Sequence, residues 1–313
     1  MILGTRGSPL ALKQSEWVRE RLAAAHPGLP VAIRVIRTQG DSRPSLPLAA
    51  GDTERIFVKE IEEALLDRRI DLAVHSLKDL PTEEVAGLIV GAVPAREDPR
   101  DVLVTRGDWS LRTLPPSARV GTGSPRRAAQ ILAVRSDLIV TPVRGNVGTR
   151  IGRVTSGDLE AVALAAAGLR RLGLIDSEVD DVMAGARVHL LPVDECTPAV
   201  GQGALAVQIR GDEAETRRLV SAIHDPMSGL EVEAERAFLA ALGGGCRVPV
   251  AALARAGDGE LTMIGMVAAP DGSTVVRVSG QGAAAGARDL GERLARQALD
   301  RGAGGILAGA GTP

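Results

Sequence analysis

The chain has 313 residues, 45% hydrophobic and 24% charged, with a formal net charge of -2. At about 100–200 residues per domain that length holds two or three domains, and such an aliphatic content excludes disorder. Aromatics are confined to Trp17, Phe57, Trp109 and Phe238, with no Tyr, which argues against recognition by ring stacking, as on single-strand nucleic-acid platforms.

In chain order, residues 1–5 read as an apolar strand, followed by Arg6-Gly7-Ser8-Pro9 and an amphipathic helix to about residue 25. Residues 31–37 read as a strand, 57–67 as a helix, and 71–75 and 88–93 as strands. Residues 38–55 form a long polar connection, a candidate active-site lid. The pattern then repeats. Gly4-Thr5-Arg6-Gly7-Ser8-Pro9 is echoed by Gly121-Thr122-Gly123-Ser124-Pro125 after a strand at 119–120, with Gln14 and Gln130 following. The apolar run at 71–74 is echoed at 159–164. Two similar α/β domains with a ligand cleft between them are the expectation. Linkers fall at 94–99 and 197–203. The remainder reads differently: a helix at 226–242, strands at 248–255, 260–268 and 273–278, and a helix at 287–301. That is a small α+β domain with a three-stranded antiparallel sheet.

Cys196 and Cys246 make no disulfide framework, and neither a CxxC spacing nor a His cluster points to a metal. No apolar run of about 18 residues predicts a membrane span. A strand starting at Met1 leaves no signal peptide, so a reduced, cytoplasmic protein is expected.

The small net charge conceals a segregation: residues 106–171 carry +7 and residues 172–225 carry −6. The basic segment suits an anionic ligand or, equally, a solvated surface. Nucleic acid is a poor fit without aromatics or a helix-turn-helix pattern. Ser8-Pro9 and Ser124-Pro125 each start a helix, Ser capping it and Pro taking its first position. The unpaired N–H groups there attract carboxylate or phosphate. Arg6 precedes one such start, and Arg126 and Arg127 lie in the first turn of the other, against the helix dipole. An anionic ligand would relieve that conflict. Arg144-Gly145-Asn146 with Arg150, and the pair Arg170-Arg171, add further forks suited to carboxylates.

His75-Ser76-Leu77-Lys78-Asp79 follows a buried strand, where sites form in α/β sheets. Asp79 is either a turn carboxylate or one that faces a cleft and stabilises a cation; His75 is read as structural. Cys246, on a glycine run beside Arg247, is an accessible thiol open to covalent attachment, whereas Cys196 lacks such help.

Taken together, Thr5-Arg6-Gly7-Ser8-Pro9, Phe57-Val58-Lys59-Glu60, His75 to Pro81, Gly121 to Arg127, Arg144 to Arg150, Ala167 to Gly173, Pro198 to Leu205 and Gly244 to Pro249 resemble the hydroxymethylbilane synthase (porphobilinogen deaminase) family, in family order. The resemblance implies two type II periplasmic-binding-protein-like domains with mixed sheets and a small C-terminal domain. The expected division is 1–95 with 203–222, then 99–198, then 226–313. It implies a transferase of tetrapyrrole synthesis, a monomer whose partner is porphobilinogen. It also implies a dipyrromethane cofactor joined by thioether to Cys246. Asp79 matches the family's catalytic acid. Lys78, Thr122, Ser124, Arg126, Arg127, Arg144 and Gly145 match cofactor positions, and Arg6, Ser8, Gln14, Phe57, Arg144, Arg150, Arg171 and Gln202 match substrate positions. Phe57 is expected to pack on a pyrrole ring. There are departures: Glu54-Arg55 replaces a common Lys-Gly, Gly123 and Pro125 replace Ser and Leu, and Gln208 replaces Glu. The rival reading is a non-catalytic binding protein for an anionic small molecule, which leaves Cys246 and the third domain unexplained.

Overall fold

The computed structural model describes residues 1–38, 57–176, 182–183, 185–243 and 248–310. The expected lid at 38–55, apart from residue 38, and the Cys246 loop lie outside the described residues. The chain divides into two compact units, Met1–Glu97 with Ala204–Gly229, and Asp98–Gly203 with Leu230–Pro313.

The first unit is built on β1 (Ile2–Thr5), α1 (Pro9–Ala25), β2 (Ala32–Val35), α2 (Lys59–Leu66), β3 (Leu72–Ser76) and β4 (Leu88–Ala92). Its sheet has the order β2-β1-β3-β11-β4, with β11 being Leu205–Arg210. Strands β1, β2 and β3 run parallel, and β11 is antiparallel to both its neighbours. Alternation along each strand separates two cores. Leu3, Leu72 and Val74 pack with Val18 and Leu22 of α1. On the opposite face, Ala73 packs with Ile61 and Leu65 of α2.

The second unit repeats the plan. Its larger sheet is built from β5 (Asp101–Thr105), β6 (Arg119–Gly121), β7 (Ile139–Thr141), β8 (Ala161–Ala165), β9 (Val182–Met183) and β10 (Ala186–Leu190). The order is β7-β6-β8-β5-β10-β9, with β6, β7 and β8 parallel and β5 antiparallel to β8 and β10. Over five strands both mixed sheets thus share one order, second, first, third, antiparallel intruder, fourth, and β9 extends the second sheet by one more. This meets the expectation of two similar α/β domains with mixed sheets. Helix α3 (Pro125–Val134) covers one face through Ile131, packed with Leu103, Val120 and Ala163. Helices α4 (Val147–Thr155) and α5 (Ala166–Arg171) cover the other through Val154 and Leu169.

Strands β12 (Val250–Gly257), β13 (Glu260–Ala268) and β14 (Val275–Ala283) form the expected antiparallel meander. After α6 (Ala214–Ser221), α7 (Pro226–Ala241) and α8 (Ala287–Ala298) complete its core, centred on the fully buried Phe238 with Leu290 and Leu294. Helix α8 runs on through a π-helical turn, Leu299–Ala303, as far as the kink at Gly302 (φ 96°), close to the expected end near 301, and a further helix, α9 (Gly304–Ala310), follows. The opposite face of the meander meets α3, where Ala129 packs with Ala251, Met266 and Ala268.

Strands β5, β7, β9, β10 and β11 are not among the expected strands. All five residues of β5 and all six of β11 are buried, so neither strand shows the polar-apolar alternation that marks a half-buried strand.

Candidate functional site

The candidate residues sit where strands hand over to helices. In the first unit, β1 ends at Thr5 and Ser8 caps α1, its Oγ accepting from the Ala11 amide at 3.3 Å. In the second, β6 ends at Gly121 and Ser124 caps α3, accepting from the Arg127 amide at 3.4 Å. Such a cap is worth about 1 kcal/mol. The echoed sequence is therefore an echoed structure. Gln14 and Gln130 are both buried just beyond these caps. Gln14 donates to Ser76 Oγ at 2.9 Å, tying α1 to the end of β3. Gln130 accepts from the Thr197 amide at 2.8 Å and donates to the Thr197 carbonyl at 3.0 Å.

Around the first cap, Arg6, Ser8, Gln14, Phe57, His75 and Asp79 line one concavity. Asp79 closes the single turn Leu77–Asp79 that follows β3 and is half-buried; Lys78 precedes it on the same turn. The Arg6 guanidinium lies over the Phe57 ring, 4.0 Å from its centroid. The ring expected to meet a pyrrole carries an arginine, a cation–π contact that orients Arg6. His75 is structural, as expected. Burial lowers its pKa to about 4, partly opposed by its hydrogen bond to Gln208 and assisted by the charge of Arg6.

In the second unit three parallel strands deliver the remaining candidates. Thr122 is buried beyond β6, with Oγ1 accepting from the Ser124 amide at 3.1 Å. Beyond β7 lie the exposed Arg144 and Gly145 and the half-buried Arg150, whose Nε donates to the Gly145 carbonyl at 2.9 Å. Gly145 holds φ 101°, a left-handed conformation that glycine adopts without penalty, and Asn146 caps α4. The two turns adjoin, since a Cβ on Gly123 would stand 2.8 Å from the Val143 carbonyl oxygen. Beyond β8, Arg171 in the last turn of α5 donates to the Gly203 carbonyl at 2.6 Å.

Arg126 and Arg127 differ from the other candidate arginines in being buried. The anion that relieves their position at a helix start is, in the fold, an internal carboxylate. Asp101, fully buried at the start of β5, takes Arg126 Nη1 at 2.6 Å, Arg127 Nε at 2.9 Å and Gln202 Nε2 at 2.8 Å. Burial pushes its carboxyl up, but the charges of Arg126 and Arg127 and their hydrogen bonds outweigh that and hold it well below the usual range. Cys196 Sγ lies 3.3 Å from the same carboxylate, and burial followed by that charge pushes the thiol up to about 12. Sequence reasoning missed Asp101. Its one signal is an acid heading the uninterrupted apolar run Val102-Leu103-Val104.

Among the described residues no group of His, Cys, Asp and Glu could hold a metal, and no helix is long and apolar enough to cross a membrane.

The comparisons with known proteins cover nearly the whole chain. The family model described as porphobilinogen deaminase, dipyromethane cofactor binding domain, matches residues 1–218, and the porphobilinogen deaminase C-terminal domain matches residues 229–300. A porphobilinogen deaminase of Syntrophobacter fumaroxidans is 47% identical over 305 residues, covering 97% of this chain and 96% of its own. One of Thermus thermophilus is 47% identical over 309 residues, covering 98% of each. Among solved structures, a reduced form of OxyR from N. meningitidis aligns over 71% of this chain and 93% of its own, at 14% identity and a TM-score of 0.41, too distant to bear on function. With both models matched in order and relatives aligned end to end, the chain belongs to the porphobilinogen deaminase family.

Proposed function

We propose that the chain is a hydroxymethylbilane synthase. It condenses four porphobilinogen molecules one at a time onto a covalently held dipyrromethane, each losing ammonia, and releases the linear hydroxymethylbilane by hydrolysis. The carrying observation is the match of both family models along the chain. The protein is thus an enzyme, a transferase of tetrapyrrole synthesis that uses a dipyrromethane cofactor.

The residues present fit that group. Its acetate and propionate carboxylates call for arginines and hydroxyls, and its pyrrole N–H groups for a carboxylate. Arg126 Nε is buried with no hydrogen-bond partner among the described residues, a donor that a ligand oxygen would satisfy. Thr122, Ser124, Arg126 and Arg127 around the start of α3, with Arg144 and Gly145 on the adjoining turn and Lys78 beside Asp79, are the residues assigned to hold it. When bound, the dipyrromethane supplies the nucleophilic pyrrole carbon on which the product grows.

Of the two cysteines, Cys196 is fully buried, and at a pKa of about 12 it stays an unreactive neutral thiol. That supports Cys246 as the attachment point, on a third domain spanning 226–313 beside domains at 1–95 with 203–222 and at 99–198. Arg6, Ser8, Gln14, Arg144, Arg150, Arg171 and Gln202 take the carboxylates of the incoming substrate, and Phe57 steadies Arg6. Asp79, on the wall shared with Arg6 and Ser8, stabilises the positive charge that develops on the substrate as ammonia leaves. The enzyme acts as a cytoplasmic monomer.

Intact-mass spectrometry tests the reading. The parent protein should carry the covalent mass of a dipyrromethane, and Cys246→Ser should lack both that mass and turnover. An active preparation with unmodified Cys246 sinks it. Saturable porphobilinogen binding with neither adduct nor product would instead establish the non-catalytic reading.

A further inference from the structure

We propose that Asp101 is the positioning residue of the Arg126–Arg127 pair: it fixes both guanidiniums at the start of α3 and cancels one of their two charges, so that the cluster is set to receive a single ligand carboxylate. This rests on the proposed function, because the ligand is the polycarboxylate assigned there.

The geometry carries the inference. Asp101 Oδ2 takes Arg126 Nη1 at 2.6 Å, while Oδ1 takes Arg127 Nε at 2.9 Å and Nη2 at 2.7 Å. Each oxygen therefore holds one arginine. Gln202 secures the arrangement by donating to Oδ1 at 2.8 Å and to the Pro99 carbonyl at 2.6 Å. Its Oε1 also accepts from Arg127 Nη2 at 3.3 Å. Arg127 Nη1 reaches the Ala163 carbonyl at 3.3 Å, so the Arg127 guanidinium is occupied along its length. Arg126 is held differently. Its Nη1 is spent on Asp101 and the Thr197 carbonyl, both at 2.6 Å, whereas its buried Nε makes no hydrogen bond among the described residues. With 5% of its surface exposed, Arg126 keeps an unsatisfied donor in a low-dielectric setting, which is costly unless an acceptor arrives.

Charge points the same way. Two cations and one buried anion leave one excess positive charge in a pocket where Cys196, held neutral, adds none. A second carboxylate from the ligand would overcompensate, whereas a single one balances the cluster. The two arginines are thus unequal: Arg127 braces, and Arg126 presents.

Asp101→Asn keeps the shape and removes the charge, and Asp101→Glu keeps the charge and moves the carboxylate by one methylene. In Asp101→Asn we expect KM for porphobilinogen to rise about tenfold with kcat within about threefold. The fraction carrying the covalent dipyrromethane mass should also fall when the protein without cofactor is exposed to porphobilinogen. A purely structural role would lower the melting temperature and leave the KM-to-kcat split and the loaded fraction as in the parent; that result overturns the proposal. If Asp101→Asn does not fold, Asp101→Glu decides: a KM raised several-fold supports positioning, and an unchanged KM with full loading overturns it. A parent protein that neither loads nor turns over would instead refute the proposed function.

Discussion

His75 Nε2 lies 3.0 Å from Gln208 Oε1, both side chains buried between β3, β11 and α2. Gln208 Nε2 donates to Glu62 Oε1 at 3.1 Å, so its oxygen is the end that faces the imidazole. This assigns the ring proton to Nε2 and keeps His75 neutral. It also gives Gln208 a role, since a glutamate there would set a second carboxylate beside Glu62 and favour a charged His75. The pH dependence follows. With the folded pKa near 4 and the unfolded one at 6.5, the unfolded chain alone takes up a proton between those values. Stability is therefore full above about pH 6.5 and falls as pH drops, by about 2 kcal/mol at pH 5. Urea midpoints at pH 7 and pH 5 should show that loss in the parent and a smaller one in His75→Gln.

Asp79 stands on a single turn, half-buried, beside the Arg6 and Ser8 wall. Asp79→Asn keeps its volume and removes the charge proposed to stabilise the developing cation. Its kcat should fall by about two to four orders of magnitude. The melting temperature should stay near that of the parent, as steady-state kinetics and a thermal melt on the same preparation would show. A variant with parental kcat removes Asp79 from the reaction.

Phe57 supports Arg6 from 4.0 Å below its guanidinium. Phe57→Ala takes away a contact worth about 0.5–1 kcal/mol. The expected result is a KM raised about two- to fivefold with kcat little changed, because the carboxylate contact proposed for Arg6 is the same in ground and transition states. Phe57→Leu, which keeps bulk without a π face, should resemble Phe57→Ala in a substrate titration.

Gly272 sits in the turn between β13 and β14 at φ 74°, and a Cβ there would come within 2.5 Å of the Ala133 amide nitrogen and 2.6 Å of the Ala129 carbonyl oxygen. Both atoms are rigid helix backbone of α3. Gly272→Ala should cost about 2–4 kcal/mol through left-handed strain and overlap together. A lowered denaturant midpoint would register it, and an unchanged midpoint would show that the turn can lift away from α3.

Much of this was legible in the residues. Ser8-Pro9 and Ser124-Pro125 announced two capped helices, and the strand runs at 248–255, 260–268 and 273–278 announced the meander. The family blocks pointed to Asp79, which shares a concavity with Arg6 and Ser8. What stayed hidden depends on partners distant in sequence. The Asp101–Arg126 pair spans 25 positions, and the His75–Gln208 pair spans 133. Burial on both faces removed the alternation that would have revealed β5 and β11, the strands that bring these partners into place.

The place of β11 has a consequence for biogenesis. Because Leu205–Arg210 lies between β3 and β4, the first sheet cannot close until the chain has been extended past residue 210. While the ribosome makes residues 98–203, both the β3 edge and the β4 strand that β11 will join stay unpaired, an invitation to wrong partners. A nascent chain halted near residue 97 holds every parallel strand of that sheet but not the one that joins them to β4. The unit that emerges first therefore matures only after its successor has been threaded through the synthesis machinery, a delay fixed by topology rather than by local sequence.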